Sequence, residues 1–185
     1  MGVLTSDAPQ WFLKSFVRSA VGAGATADTE AIEAVGQSLL NRWADENRHF
    51  HNLRHLASVL HRVDELAEET HEPDLVRLAA LVNAIVRHAP DPADFDAAVL
   101  NDADLAMLAA EPQRYKDYKS AVRAEYAHIP AEDYLRARIR VIERLLARKS
   151  LFLSPMGAAW EEPARQNLDM ELHRLRKEQA KLGSA

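Results

Sequence analysis

At 185 residues the chain has the length of one ordinary domain, and two would be cramped. Its 48% apolar and 28% charged residues are those of a soluble globular protein. The 6 glycines and 8 prolines are too few for a sandwich of many short strands, and the net charge of −5 argues against a sequence-independent grip on nucleic acid, although a local basic patch is still allowed. No cysteine is present, which excludes disulfides, thiolate metal sites and a cysteine nucleophile.

Apolar residues recur at helical period along most of the chain. Trp11, Phe12, Phe16, Val17 and Val21 form the first stripe, which the stretch from Gly22 to Gly24 should end. Asp28 or Thr29 can cap a second helix carrying Ile32, Val35, Leu39, Leu40 and Trp43. A polar turn from Asp45 to His51 leads into a third, with Leu53, Leu56, Val59, Leu60, Val63 and Leu66 facing inward. The acidic stretch Glu68 to Asp74, with Pro73, breaks it, and Leu75 to His88 reads as a short, almost wholly apolar central helix. Ala89 to Pro92 is a breaker.

A short helix is expected to contain Asp104 to Ala110. Pro112 should start another, running to His128. Pro130 opens the next, with Leu135, Ile139, Val141, Ile142, Leu145 and Leu146, and Pro155 and Gly157 mark a loop. A last helix, about Glu162 to Leu182, carries Leu168, Leu172, Leu175 and Leu182. These leucines either dock on the protein's own core or offer a near-heptad surface to a partner. With no repeat and no separating linker, the expectation is one all-α domain over residues 1–185. The start lacks a basic segment followed by a long apolar one, and no apolar run approaches the roughly 18 residues of a membrane span. A cytoplasmic protein without membrane contact is expected.

Eight histidines are many for this length, and three fall in Arg48-His-Phe-His-Asn-Leu-Arg-His55. His51 and His55 are four apart, so on a helix they share a face and could reach one metal. His88 closes the apolar helix, and Asp102 and Asp104 supply carboxylates. Such a mixture suits Zn, Mn, Fe or Mg. The plainer reading is that the histidines are surface or capping groups and the two aspartates helix-starting caps. His61, His71, His128 and His173 have no partner pattern and are expected in solvent. Neither a Gly-rich phosphate loop nor a Ser elbow occurs.

Several longer strings carry a resemblance. RHFHNLRHL from Arg48 resembles the motif R-x-Y-H-N-L-x-H-I of a bacterial branch of the HD superfamily, whose members are described as predicted metal-dependent phosphohydrolases. NDADLAML resembles the branch's L-D-A-D-L-A-I-L, and YKDYKSAVRAEYAHIP its Y-x-x-Y-x-x-x-I-R-x-E-Y-x-x-V-P. YLRARIRVIERLLARKSLF resembles R-x-x-V-L-x-x-L-L-x-R-x-x-I-Y, and EEPARQNLDMEL resembles E-x-x-A-R-x-N-L-x-x-E-L. The strings keep their order from about residue 38 to 175, with one gap.

The resemblance implies an HD-like helical bundle. It implies a divalent metal held by a histidine, an adjacent His-Asp pair and a distal aspartate, activating a water that attacks a phosphate ester. Carried over, the first histidine is His55 and the distal aspartate Asp102, and His88 resembles a further family histidine. Arg48, Arg123 and Arg165 lie at matched positions as candidate contacts to a substrate phosphate, as do Glu125 and Arg138 within the matched strings. The alternative role of these charges is a structural salt-bridge network.

The chain departs from the family at the pair itself. No His is followed by Asp anywhere in the sequence. Aligned in place, Asn83 and Ala84 stand where the pair belongs; aligned to a later family helix, the pair-bearing segment is deleted. The chain is also shorter than the family implies. The expected function is therefore that of a degenerate HD-like protein with lost or impaired hydrolysis, kept as a binding or interaction module. It would hold no metal or a weakly bound one, and its ligand class would be a small phosphate-containing molecule. The alternative is an active phosphohydrolase with a reduced ligand set. Loss of covering helices should expose apolar surface on the Leu75 to Val86 helix, so a homodimer is expected.

Overall fold

The computed structural model describes residues 8–82 and 94–182. Among them are eight α-helices and no strand, the all-α class expected. No helix among the described residues is long and apolar enough to cross a membrane. The contacts group into two compact units, residues 1–103 and 104–185.

The first unit holds α1 (Ala8–Gly22), α2 (Thr29–Trp43), α3 (Leu53–Glu65), α4 (Pro73–Val82) and most of α5 (Phe95–Leu105). α1 packs on α2 and α4, and α3 packs on α4 and α2. Asp28 is the α2 cap, its carboxylate accepting from the Ala31 N–H at 2.8 Å. The α1 helix ends at Gly22, and Gly24 follows at φ 90°, a left-handed turn that glycine makes without steric cost.

The buried arc of α1 and α2 is narrower than their apolar stripes. Phe12, Phe16 and Ala20 are buried, but Trp11, Val21 and Val35 are more than half exposed. The reason is the closeness of the two helices. A Cβ on Gly36 would sit 2.7 Å from the Phe16 ring and 2.8 Å from Leu13, so a bare backbone faces those side chains. The contact therefore turns on Gly36 rather than on Val35.

The chain breaks between α3 and α4 as the acidic stretch implied, but α4 starts two residues before Leu75, at Pro73, because a proline ring suits the first helical turn, where no N–H partner is needed. That turn is held from outside by Asp96, which accepts from Thr70 Oγ1, from the His71 N–H at 2.7 Å and from the Glu72 N–H at 3.3 Å. Burial works against the Asp96 carboxylate, yet these donors win and hold its pKa below the usual value. The part of the expected Leu75 to His88 helix beyond residue 82, with Asn83, Ala84 and His88, lies outside the described residues.

The α5 helix corrects the sequence expectation of a short helix over Asp104 to Ala110. It begins at Phe95, where the Asp94 carboxylate accepts from the Ala97 N–H at 2.9 Å, and a 3-10 turn, Ala106–Ala109, follows it. Asp102 and Asp104 consequently lie in its last turn and are not helix-starting caps.

The second unit holds α6 (Pro112–Glu125), α7 (Ala131–Leu146), a 3-10 turn (Met156–Trp160) and α8 (Glu161–Leu182). α8 packs against α7 and both 3-10 turns. The core collects Leu108, Tyr115, Leu135, Ile139, Ile142, Leu151, Phe152, Leu168 and Leu172. Leu168 and Leu172 are thus docked on their own unit's core, Leu175 packs at its edge, and Leu182 is exposed. α6 stops at Glu125, three residues before His128, because Arg123 turns back onto the carbonyls beyond it.

Candidate functional site

The candidate centre of the first unit is built around Asn52. As the α3 cap, its Oδ1 accepts from the Arg54 N–H at 3.0 Å and the His55 N–H at 3.3 Å. Its Nδ2 donates backward to the His49 carbonyl at 2.9 Å and the Arg48 carbonyl at 3.3 Å. One amide therefore ties the bend before the helix to the first turn, which is what an asparagine at this place in the string is for.

The clamp sets four rings together. His55 is buried, with its ring centroid 4.6 Å from Phe50, 5.4 Å from His51 and 6.3 Å from Trp43. His51 and His55 do meet, edge to face, although His51 lies in the bend and only His55 is on the helix. Arg48 lies over the Trp43 ring at 5.3 Å and donates to the His51 carbonyl at 3.2 Å. Trp43 is anchored in turn by its indole N–H, which donates to the Leu81 carbonyl at 2.8 Å.

Asp102 is wholly buried in the same unit, and its Oδ1 accepts from the neighbouring Asn101 amide at 2.9 Å. His88 lies outside the described residues. Among the described residues, no three His, Asp or Glu side chains come together so as to hold a metal ion, so they do not by themselves fit the ion that the resemblance implies. Of the other histidines, His61 meets Glu65 at 3.1 Å and His71 meets the Phe95 ring edge to face.

The three other arginine candidates, Arg123, Arg138 and Arg165, are in the second unit, and all bind the chain itself. Arg123 stacks over Tyr134 at 4.7 Å and donates to the Tyr126 carbonyl at 2.6 Å and the Ile129 carbonyl at 3.3 Å. It thereby satisfies carbonyls that the end of α6 leaves open. Arg165 pairs with Glu161 at 2.7 Å and donates to the Leu146 and Arg148 carbonyls at 3.1 and 2.8 Å. The Glu161 carboxylate also accepts from the Leu151 and Phe152 N–H groups. Arg165 and Glu161 so close the segment that joins α7 to α8.

The residue that organises this unit was not among the sequence candidates. Glu171, buried on α8, accepts from Arg138 at 2.8 and 3.1 Å and from the Tyr115 hydroxyl, and Arg138 also donates to the Tyr118 hydroxyl at 3.2 Å. Burial works against the Arg138 charge, but Tyr118 and the bidentate Glu171 carboxylate more than offset it and hold the guanidinium firmly protonated. Burial, reinforced by the Glu171 charge, pushes the Tyr115 phenol far above its usual range. Nearby, Asn167 donates to the Leu108 and Ala110 carbonyls at 2.9 and 2.8 Å. The signal for this network was in the quoted strings, where Tyr115, Tyr118, Arg138 and Glu171 all occur. Their partners across 20 to 56 positions become visible only in three dimensions.

No protein-family model, curated protein or solved structure matches the chain.

Proposed function

We propose that the chain is a non-catalytic, shortened HD-like module that works by binding. The observation that carries this reading is the use to which the resembling polar residues are put. Arg123 and Arg165 cap helix ends, Arg138 and Glu171 form a buried pair, and Asn167 and Glu161 hold loops. The second-half strings are thereby accounted for as the means of building a helical unit, with no phosphate needed to explain them. The absence of any His-Asp pair in the sequence supports the same reading for the first half. Arg48, held over Trp43 beside the His51–His55 rings, is the arginine left for a small phosphate-bearing ligand.

The test is direct. Nucleoside mono- to triphosphates and generic phosphate esters, offered with Mg, Mn, Co or Ni, should show no turnover above the metal blank. A metal-dependent rate that His55→Ala and Asp102→Ala both abolish, with helical circular dichroism unchanged, would establish the hydrolase instead.

The same reading includes a homodimer. Within the first unit Trp11, Val21, Val35, Leu75, Val82 and Phe95 are each 48–56% exposed, and a second copy would cover such apolar surface. Multi-angle light scattering at micromolar concentration should give twice the chain mass of 20.7 kDa. A soluble species at 20.7 kDa would refute the dimer.

A further inference from the structure

The two units differ in charge. Residues 1–103 carry 8 Lys or Arg against 16 Asp or Glu, whereas residues 104–185 carry 15 against 12. The basic excess sits in a chain that is acidic as a whole, and part of it lines a trough of about 550 Å³ in the second unit.

The trough has two helical walls and a floor. α6 contributes Lys116, Lys119, Ser120 and Arg123, and α8 contributes Glu171, Arg174, Leu175 and Glu178. Both sets are spaced i, i+3, i+4, i+7, which is one face of a helix over two turns, about 10 Å at 1.5 Å per residue. Ala131 and the half-buried Tyr134 of α7, on whose ring Arg123 lies, supply the floor over the buried Leu135, and Leu175 adds an apolar edge.

The charge on the walls is available. Among the described residues Lys116, Lys119 and Arg174 form no ion pair, whereas Arg136, Arg138, Arg165 and Arg176 of the same unit all do. Lys119 only lies over the Tyr115 ring, at 5.3 Å. Arg123 is spent on backbone carbonyls and contributes its field rather than its donors. Of the two acids, Glu171 is neutralised by Arg138, which leaves Glu178 at one end.

We infer that this trough binds an amphipathic acidic helix of a partner protein, its apolar ridge on Tyr134, Ala131 and Leu175 and its carboxylates between Lys116 and Lys119 on one wall and Arg174 on the other. An open groove with an apolar floor and basic walls at helical spacing is the complement of such a helix. A small anion would use the cations and leave the floor idle. The inference goes beyond the reading as a non-catalytic module by naming what is bound. It does not depend on His55 or Asp102, so a hydrolysis result leaves it standing.

Fluorescence anisotropy with the full chain tests it. The probe is a labelled peptide of about 18 residues, with a leucine ridge flanked by glutamates, long enough to form a helix on binding. Saturable binding at or below about 1 mM is expected, weakened at least tenfold by Lys116→Glu with Arg174→Glu. Both side chains are exposed, and circular dichroism checks that the variant is folded. Ala131→Trp, which fills the trough without changing its charge, should weaken binding as much. Overturning results are no binding, equal binding of a lysine-for-glutamate peptide or of a peptide with serines in place of leucines, or full displacement by equimolar glycerol phosphate, which would make the trough a small-anion site.

Discussion

Replacing Glu171 by alanine is expected to cost about 3–5 kcal/mol of stability, the largest single effect in the second unit. The carboxylate is 6% exposed and its Arg138 partner 11%, so the substitution strands a guanidinium in the interior together with the Tyr115 hydroxyl. The loss comes from the orphaned charge more than from the pair itself. Removing both members, as Glu171→Leu with Arg138→Met, should therefore recover most of it. Urea unfolding followed by far-ultraviolet circular dichroism reads both numbers. A Glu171→Ala loss below about 1 kcal/mol would mean that the pair is solvated and that the network does not hold the second unit together.

The corresponding residue in the first unit is Trp43. It is buried, and its indole N–H reaches the Leu81 carbonyl, joining the end of α2 to the end of α4. Trp43→Ala should cost about 3–5 kcal/mol through the cavity and the lost apolar contact. Trp43→Phe keeps most of the volume but removes that hydrogen bond, so a loss of about 0.5–1.5 kcal/mol is expected. Because Arg48 and His55 both pack by this ring, the alanine variant should also shift the His51 and His55 ring resonances, while His173, on exposed α8 surface, stays put. Equal stabilities of the two variants would show that the hydrogen bond, not the ring volume, holds α2 to α4.

Much of the helical order was legible because it rests on local chemistry. The Asp28 cap, the Gly22 to Gly24 stop and the inward faces of α3 and α7 follow from short-range pattern. α5 was missed because its sequence, Phe95 to Leu105, mixes apolar and acidic residues with little sidedness, and its cap is a single Asp94. Trp11 and Val35 lie on the apolar stripes of α1 and α2, yet both are more than half exposed. For Val35 the difference lies in the close approach of α1 to the neighbouring Gly36, a tertiary fact no helical wheel contains.

The site was less legible than the fold. The string around His55 marked a real cluster of rings, but His51 reaches His55 from the bend before α3 and not across a shared helix face, as their spacing of four implied. What the spacing did not reveal was the role of Asn52, which shapes the bend, or of Arg48, which lies on Trp43. For Arg123 and Arg165 the residue type suits a phosphate and a row of open carbonyls equally, since guanidinium donors serve both. Only the geometry of the helix ends distinguishes the two uses. The charge contrast between the halves could have been counted from the sequence, but its meaning needs the trough that α6, α7 and α8 enclose.

Metal content tests most directly whether the chain, as proposed, binds without a resident metal centre. Protein purified without chelators should carry well under one equivalent of Mn, Fe, Co, Ni or Zn, and its thermal midpoint should not move with EDTA, since an ion bound only to the native state would raise that midpoint. One tightly held ion per chain, lost together with its stabilisation in both His55→Ala and Asp102→Ala, would contradict the account.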